Sequence, residues 1–130
     1  MPERFLDWLE QARMDLEHGR CAAAAGHFEW AAFAAQQAAE KACEALHLFA
    51  RSAAWGHDVT QLLSTLPEPL RPDPSLLDRA KALDKHYIPA RYPNGFASGT
   101  PRAHYCRAEA ERALADAEAI VEFCDRSISR

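Results

Sequence analysis

The feature that most constrains the fold is a run of small residues that repeats with helical spacing from Phe28 to Phe49. Apolar residues recur there in steps of four and three, at positions 28, 32, 35, 39, 42, 46 and 49. This period places them on one face of a helix of about six turns. Most of them are alanines, which let a neighbouring helix approach closely. The segment therefore predicts a long central helix.

Composition supports an all-α fold. Alanine makes up about one residue in five, whereas the chain has two valines and three isoleucines. Because alanine favours helices and β-branched residues favour strands, this balance disfavours a sheet. With 130 residues the chain has the size of one domain, so we expect residues 1–130 to form a single domain.

The first helix is predicted from a matching stripe that runs from Phe5 to Ala23. Gly26 follows it, and glycine enters the left-handed conformation that ends many helices without steric cost. Since the connection to the second helix is short, the two helices should be antiparallel neighbours.

Three more helices are expected. A short one begins after Asp58, which can cap it together with Gln61. Another starts at Pro74, carries Tyr87 on its apolar stripe and stops at Pro89, and a last one follows the loop over residues 88–101. The prediction is an up-and-down antiparallel bundle of four to five helices.

No apolar stretch of membrane-spanning length and no signal-peptide pattern is found, so we expect a cytoplasmic protein without a membrane partner. The four cysteines lack the short spacings of a metal site. We therefore expect reduced thiols, no metal and no cofactor.

The net charge of −4 hides a basic segment, because no carboxylate occurs between Asp84 and Glu109. Cations and tyrosines alternate there, and such a surface suits a phosphate and a stacked base. The segment predicts binding of a nucleotide or single-stranded RNA, with the ligand contacts Lys85, Tyr87, Arg91, Tyr92 and Arg102. Alternatively, the loop covers the bundle, and its arginines are solvated or paired with acidic residues of the first half.

Five ordered fragments resemble the HEPN domain family, which occurs in prokaryotic proteins and in the eukaryotic protein sacsin. The fragments are Arg13-x-Asp15-Leu16, Gly26-x-Phe28-Glu29-Trp30-Ala31, Gln36-Gln37-Ala38-Ala39-Glu40-Lys41-Ala42, Gly56-His57-Asp58 and Tyr87-Ile88-Pro89-Ala90-Arg91-Tyr92-Pro93. The resemblance implies a helical bundle that forms homodimers and pairs with a nucleotidyltransferase-fold protein, in some cases as a toxin–antitoxin pair. It also implies nucleotide binding or metal-independent RNA cleavage.

The cleaving members of the family carry an arginine and a histidine with four to six residues between them. Arg79 and His86 fit this spacing and would be the catalytic pair, two turns apart on one helix face. Arg20–His27 and Arg51–His57 fit as well, and chance alone supplies one or two such matches. Because Tyr87 directly follows His86, the sequence departs from the His-x-Tyr order of the ribonuclease subfamilies.

Arg91 is the residue that best matches the family's shared element. Its planar guanidinium can bind a phosphate, and Pro93 restricts the backbone of Tyr92 to an extended form. The alternative is an internal ion pair between Arg91 and either Asp84 or Glu40.

A polar face of the second helix is predicted as an interaction surface, formed by Gln36, Gln37, Glu40 and Lys41. His57 beside Asp58 permits a catalytic interpretation, but a capping role at the start of a helix is favoured. The three tryptophans are expected to be packing residues. A purely structural adaptor is the third functional hypothesis.

Overall fold

The computed structural model describes residues 4–128, which contain helices and no strand. The helices are α1 (Phe5–Ala24), α2 (Phe28–Ala50), α3 (Val59–Ser64), α4 (Pro74–Asp84), α5 (Pro101–His104) and α6 (Arg107–Ser127). Three of them exceed 19 residues, and α5 is a single turn. The all-α prediction is confirmed.

The helices α1 and α2 form a hairpin around Gly26, which has φ +84° as predicted for the residue after a helix end. Their facing stripes are buried, including Leu16 on α1 and Ala35 on α2. At Gly19 of α1 the neighbouring helices α2 and α6 approach closely. A Cβ there would lie 2.7 Å from Leu114 Cδ2 and 3.3 Å from the carbonyl oxygen of Ala31.

The third long helix, α6, packs against α1 and α2 and closes the main core. The larger fully buried side chains come from α2, α3, α4 and α6 and from the residue Leu66; they include Leu46, Leu62, Leu63, Leu66, Leu83, Ile120 and Val121. Ion pairs join α1 to α6 at the surface, among them Arg20 with Glu118 at 2.7 Å. The buried alanines of α2, which we call the alanine seam, thus lie where the three long helices meet.

The shorter helices begin at side-chain caps. Asp58 accepts a hydrogen bond from the backbone N–H of Gln61, as predicted, and Asp73 accepts one from Leu76. Between these helices, residues 65–73 form a proline-rich connector with one short 3₁₀ turn at Glu68–Leu70.

Two expectations about the following segment are wrong. The helix α4 ends at Asp84, so Tyr87 lies beyond it in a series of turns that extends through Arg91. The turns begin before Pro89 because the backbone N–H groups of His86 and Tyr87 bond to the carbonyl groups three residues back. The predicted loop also contains a 3₁₀ turn at Pro93–Gly95 and the start of α5.

In the part of the chain that the structure describes, no helix is both long enough and apolar enough to cross a bilayer.

Candidate functional site

The turns after α4 fold back so that Arg91 returns to Tyr87. The backbone N–H groups of Arg91 and Tyr92 both donate to the carbonyl group of Ile88, and Arg91 Nε donates to the Tyr87 carbonyl over 2.9 Å. Tyr92 is extended, with φ −126° and ψ 135°, as predicted for a residue before proline. This local fold fixes the position of the guanidinium group.

Aromatic rings surround that guanidinium group. The Arg91 Cζ atom lies 4.4 Å from the ring centre of Phe33, 4.6 Å from that of Tyr87 and 5.1 Å from that of Tyr92. Contacts of this length are cation–π interactions, which hold an arginine without neutralising it. We call these four residues the arginine cluster. Trp30 meets the edge of Phe33 at 5.9 Å between ring centres.

The two Nη atoms of Arg91 remain available. Among residues 4–128 no hydrogen-bond or ion-pair partner of either atom is found. Within the same residues, the buried side-chain atom that lacks a hydrogen-bond partner is Oε1 of Glu29, and neither Nη atom of Arg91 is buried in this way. The Nη atoms are therefore unpartnered but not sealed from solvent. A phosphate or a carboxylate is the ligand that such a planar fork binds best.

The alternative in which Arg91 forms an internal ion pair does not occur within the described residues. Asp84 instead accepts hydrogen bonds at the start of α3, from the backbone N–H of Val59 at 2.7 Å and from the hydroxyl of Thr60 at 2.6 Å. Glu40 accepts from His57. Both candidate carboxylates are thus committed elsewhere.

A row of polar side chains on α2 runs from the arginine cluster toward α1. His57 Nδ1 donates to Glu40 Oε2 over 3.0 Å, and Gln37 Nε2 donates to Glu40 Oε1 over 3.3 Å. At the far end of the row, Lys41 forms an ion pair with Asp15 of α1. Gln37, Glu40 and Lys41 are all partly exposed.

Gln36 differs from its neighbours because its side chain is fully buried. Its amide donates to the His57 carbonyl over 3.0 Å, and its oxygen accepts from Gln37. The expectation that Gln36 itself forms an interaction surface is therefore corrected. Gln36 supports that surface from inside the fold.

Asp58 and Asp84 lie side by side beneath His57 and Tyr87, and these four residues line a cavity of about 130 Å³. Burial, together with a hydrogen bond that the protonated Asp84 donates to Asp58, raises the pKa of Asp84 to about 6. The hydrogen bond with Asp84 lowers the pKa of Asp58. The single proton of this pair therefore resides on Asp84 and is released as the pH rises through about 6.

Arg79 and His86 have separate structural partners. Arg79 pairs with the buried Asp116 of α6 at 2.9 Å, and His86 Nδ1 lies 2.8 Å from the Tyr105 hydroxyl. Burial lowers the pKa of His86 and raises the pKa of Tyr105 to about 12. His86 also lies beyond the end of α4, so the prediction that the pair shares one helix face is wrong.

The other predicted ligand cations lie outside the arginine cluster. Lys85 is exposed at the end of α4, and Arg102 on α5 contacts His27 Nδ1 at 3.2 Å, next to the start of α2. The loop between them is ordered by its own rings, since Phe96 and His104 stack with 4.0 Å between centres. The structure thus does not bring Lys85 and Arg102 into the arginine cluster.

Sequence reasoning missed Phe33 and misjudged the tryptophans. Phe33 lies outside the alanine stripe and four residues before Gln37, so it shares the polar face of α2. A large ring on that face was the signal that could have pointed to this site. Trp8, Trp30 and Trp55 are 37%, 52% and 76% exposed, so the expectation that they pack inside the fold is wrong. His57 is not the capping residue either, because Asp58 performs that role.

Among residues 4–128, no group of three or more histidine, cysteine or carboxylate side chains is arranged to hold a metal ion.

Comparison with known proteins agrees with this architecture. The profile of the HEPN domain family matches residues 5–127. The crystal structure of TT1696 from Thermus thermophilus is 46% identical, covers 97% of this chain and 99% of its own, and superposes with a TM-score of 0.94. Among curated protein sequences, no match is found.

Two further crystal structures are similar. ST0689, an archaeal HEPN homologue, is 34% identical over 98% of this chain and 100% of its own, with a TM-score of 0.83. The HEPN domain protein TM0613 from Thermotoga maritima is 37% identical over 95% and 98%, with a TM-score of 0.78. Fold and sequence together thus define a small helical-bundle domain. The chain belongs to the HEPN domain family.

Proposed function

We propose that this protein binds a nucleotide or single-stranded RNA through the arginine cluster. The observation that carries the proposal is the Arg91 guanidinium, which is held by three rings while its Nη atoms stay unpartnered and accessible. Held in this way, the guanidinium binds a phosphate without first losing another ion pair. The exposed Tyr92 and Trp30 offer faces on which a base can stack.

The test is calorimetric titration with AMP, GMP and the nucleoside adenosine. We expect both nucleotides to bind, adenosine to bind much more weakly, and Arg91→Ala to weaken nucleotide binding at least tenfold, since charge-assisted hydrogen bonds are lost. Arg91→Lys should recover only part of the affinity because lysine lacks the planar fork.

Arg20→Ala is the matched control, because Arg20 is an exposed arginine on α1 that pairs with Glu118 away from the cluster. Its affinity should equal that of the wild type. Equal affinities of the wild type and Arg91→Ala would contradict the proposal.

We further propose that the protein works as a homodimer and with a nucleotidyltransferase-fold partner, as a toxin–antitoxin-like pair. The HEPN resemblance supports both, and the outer face of α1 offers an apolar contact because Leu6 and Met14 are 47% and 46% exposed. Analytical sedimentation of the wild type should show a dimer. The double variant Leu6→Glu with Met14→Glu should be monomeric, whereas the control Leu48→Glu on α2 should remain dimeric. A monomeric wild type contradicts the homodimer.

For the partner, the measurement is copurification of the wild type with a purified nucleotidyltransferase-fold protein encoded beside its gene. Growth of the host cells should stop when the protein that acts as the toxin of the pair is expressed alone. It should recover when both proteins are expressed. No complex at micromolar concentration contradicts the pairing.

A further inference from the structure

The turn that carries the arginine cluster begins at the end of α4. The carbonyl group of Asp84 accepts a hydrogen bond from the backbone N–H of Tyr87 over 3.4 Å. The carbonyl group of Tyr87 in turn accepts one from Arg91 Nε over 2.9 Å, and the Arg91 Cζ atom lies 4.6 Å from the centre of the Tyr87 ring. Tyr87 therefore connects Asp84 directly to the guanidinium group.

The carboxyl group of Asp84 attaches this turn to the start of α3. One of its oxygens accepts from the backbone N–H of Val59 over 2.7 Å. The other accepts from the backbone N–H of Thr60 over 3.1 Å and from the Thr60 hydroxyl over 2.6 Å. Since these bonds all end on one carboxyl group, the position of the turn depends on what acts on that group.

A second carboxyl group, that of Asp58, faces Asp84. The two line the cavity of about 130 Å³ together with His57 and Tyr87, and they lie within hydrogen-bonding reach of each other. The neighbouring cation, Lys85, is exposed to solvent. Two carboxylates in contact repel each other, so such a pair is stable while it holds a proton. Burial and this hydrogen bond raise the pKa of Asp84 to about 6, and above that pH two negative charges meet beside the Tyr87 ring.

Other titratable groups surround the pair. His57, from the loop before α3, donates to Glu40 of α2. Cys43 of α2 is buried, and a hydrogen bond with Cys124 of α6, together with burial, raises its pKa well above the usual value. The charges of Asp84 and Glu40 raise it further, so this thiol stays protonated near neutral pH. Histidine commonly titrates between about pH 5 and 8, so His57 is the group that an experiment must separate from Asp84.

We propose that Asp84 is a positioning residue of the arginine cluster, which binds its phosphate ligand more tightly when the Asp58–Asp84 pair holds a proton. This inference rests on the proposed function. Once Asp84 is ionised, repulsion between the two carboxylates pushes the start of α3 away from the turn, and Tyr87 loses its fixed place against Arg91. A guanidinium group that is less restrained loses more freedom when it binds a phosphate, which weakens binding. The added negative charge acts in the same direction.

The experiment measures by calorimetry the affinity of the dinucleotide UpU at about pH 5 and about pH 7.5. Its phosphodiester keeps one charge across this range, whereas a phosphate monoester loses a second proton near about pH 6. The wild type should bind about fivefold more weakly at the higher pH. Asp84→Asn should bind equally at both, because its amide is uncharged and can still accept from Thr60 and donate to Asp58.

Proton uptake is a readout that a purely structural role of Asp84 would not move. Because linkage is reciprocal, a ligand that prefers the protonated pair must raise the proton affinity of that pair. At a pH close to the pKa of Asp84, binding of UpU to the wild type should therefore take up a fraction of a proton. Binding heats in two buffers with different enthalpies of ionisation measure this uptake, and Asp84→Asn should lose it.

Two variants serve as matched controls. His57→Phe keeps an aromatic ring against Tyr87 and removes the imidazole. Asp78→Asn removes an exposed carboxylate from the same helix, α4. Both should retain the pH dependence of the wild type. Thermal melts at both pH values check that each variant is folded.

Equal wild-type affinities at the two pH values overturn the inference. A pH dependence that persists in Asp84→Asn, or that disappears in His57→Phe, also overturns it. Each of these results leaves the proposed function intact if Arg91→Ala still weakens the binding of UpU. If the wild type binds neither UpU nor AMP at either pH, the proposed function and the inference both fail.

Discussion

Alanines fill the contact between α1, α2 and α6, whereas rings, amides and carboxylates fill the contact between α2 and the segment after α4. Each region uses one face of α2. The alanine face is dry and close-packed, so its energy comes from burial and dispersion. The other face keeps a cation and a histidine in reach of solvent. The comparison teaches that one helix can serve stability and recognition with different sides.

The largest difference should appear when Leu46, fully buried on α2, is replaced by alanine. Loss of a buried leucine costs about 2–5 kcal/mol of unfolding free energy, because a cavity remains. Urea denaturation measures this, and Leu48→Ala on the exposed side of α2 is the control. Nucleotide affinity of the folded variant should not change, and a reduced affinity would break the separation of the two faces.

A residue that connects the two regions should affect both properties. Gln36→Leu leaves the His57 carbonyl without a partner and removes one of the two acceptors of the Gln37 amide, which should cost about 1–3 kcal/mol. It should also weaken nucleotide binding, because His57, which stacks on Tyr87 of the arginine cluster, loses its support. The exposed Gln61→Leu is the control for both measurements. Unchanged affinity in Gln36→Leu would show that the buried amide serves stability alone.

The pH dependence of stability should originate in the polar region. Burial and Asp58 raise the pKa of Asp84 from 3.8 to about 6, so the native state keeps a proton that the unfolded chain releases. The resulting stability is complete below about pH 4 and is lost as the pH rises through 6. Asp84→Asn removes this loss.

Denaturation of the wild type and of Asp84→Asn between pH 4.5 and 7.5 checks the expectation. Relative to the variant, the wild type should become less stable as the pH rises. Asp78→Asn, at an exposed position of α4, should follow the wild type. A constant difference between wild type and Asp84→Asn across this range would contradict the role of Asp84.

The smallest effect is expected at the outer surface, where Arg20 and Glu118 form an exposed ion pair between α1 and α6. Arg20→Ala should change the unfolding free energy by no more than about 0.5 kcal/mol, because solvent screens such pairs. Denaturation in low salt measures it. A loss of several kcal/mol would mean that surface charges contribute as much as the alanine seam does.

The alanine face could be read from the sequence, because helical spacing is local and each step of three or four residues is visible. The stripes through Leu16 and Ala35 are buried as expected, and Gly26 ends the hairpin helix. The end of α4 was misplaced because hydrophobic spacing continued to Tyr87 while the backbone tightened into turns.

The polar face was predicted only in part. The grouping of Arg91 with Tyr87 and Tyr92 could be predicted, since these residues are close in sequence. The contact with Phe33 and the bond between His57 and Glu40 join residues 58 and 17 positions apart, and no local pattern specifies such pairs. The burial of Gln36 follows from the same long-range packing.

Because α2 supports both regions, its length has a consequence for how the sequence can change. One residue inserted in the middle of α2 rotates everything beyond it by about 100° around the helix axis. Glu40 would then turn away from His57 while Leu46 turned out of the core. Insertions should instead accumulate in the connector beyond the buried Leu66, over residues 67–73, where added chain only lengthens a surface loop.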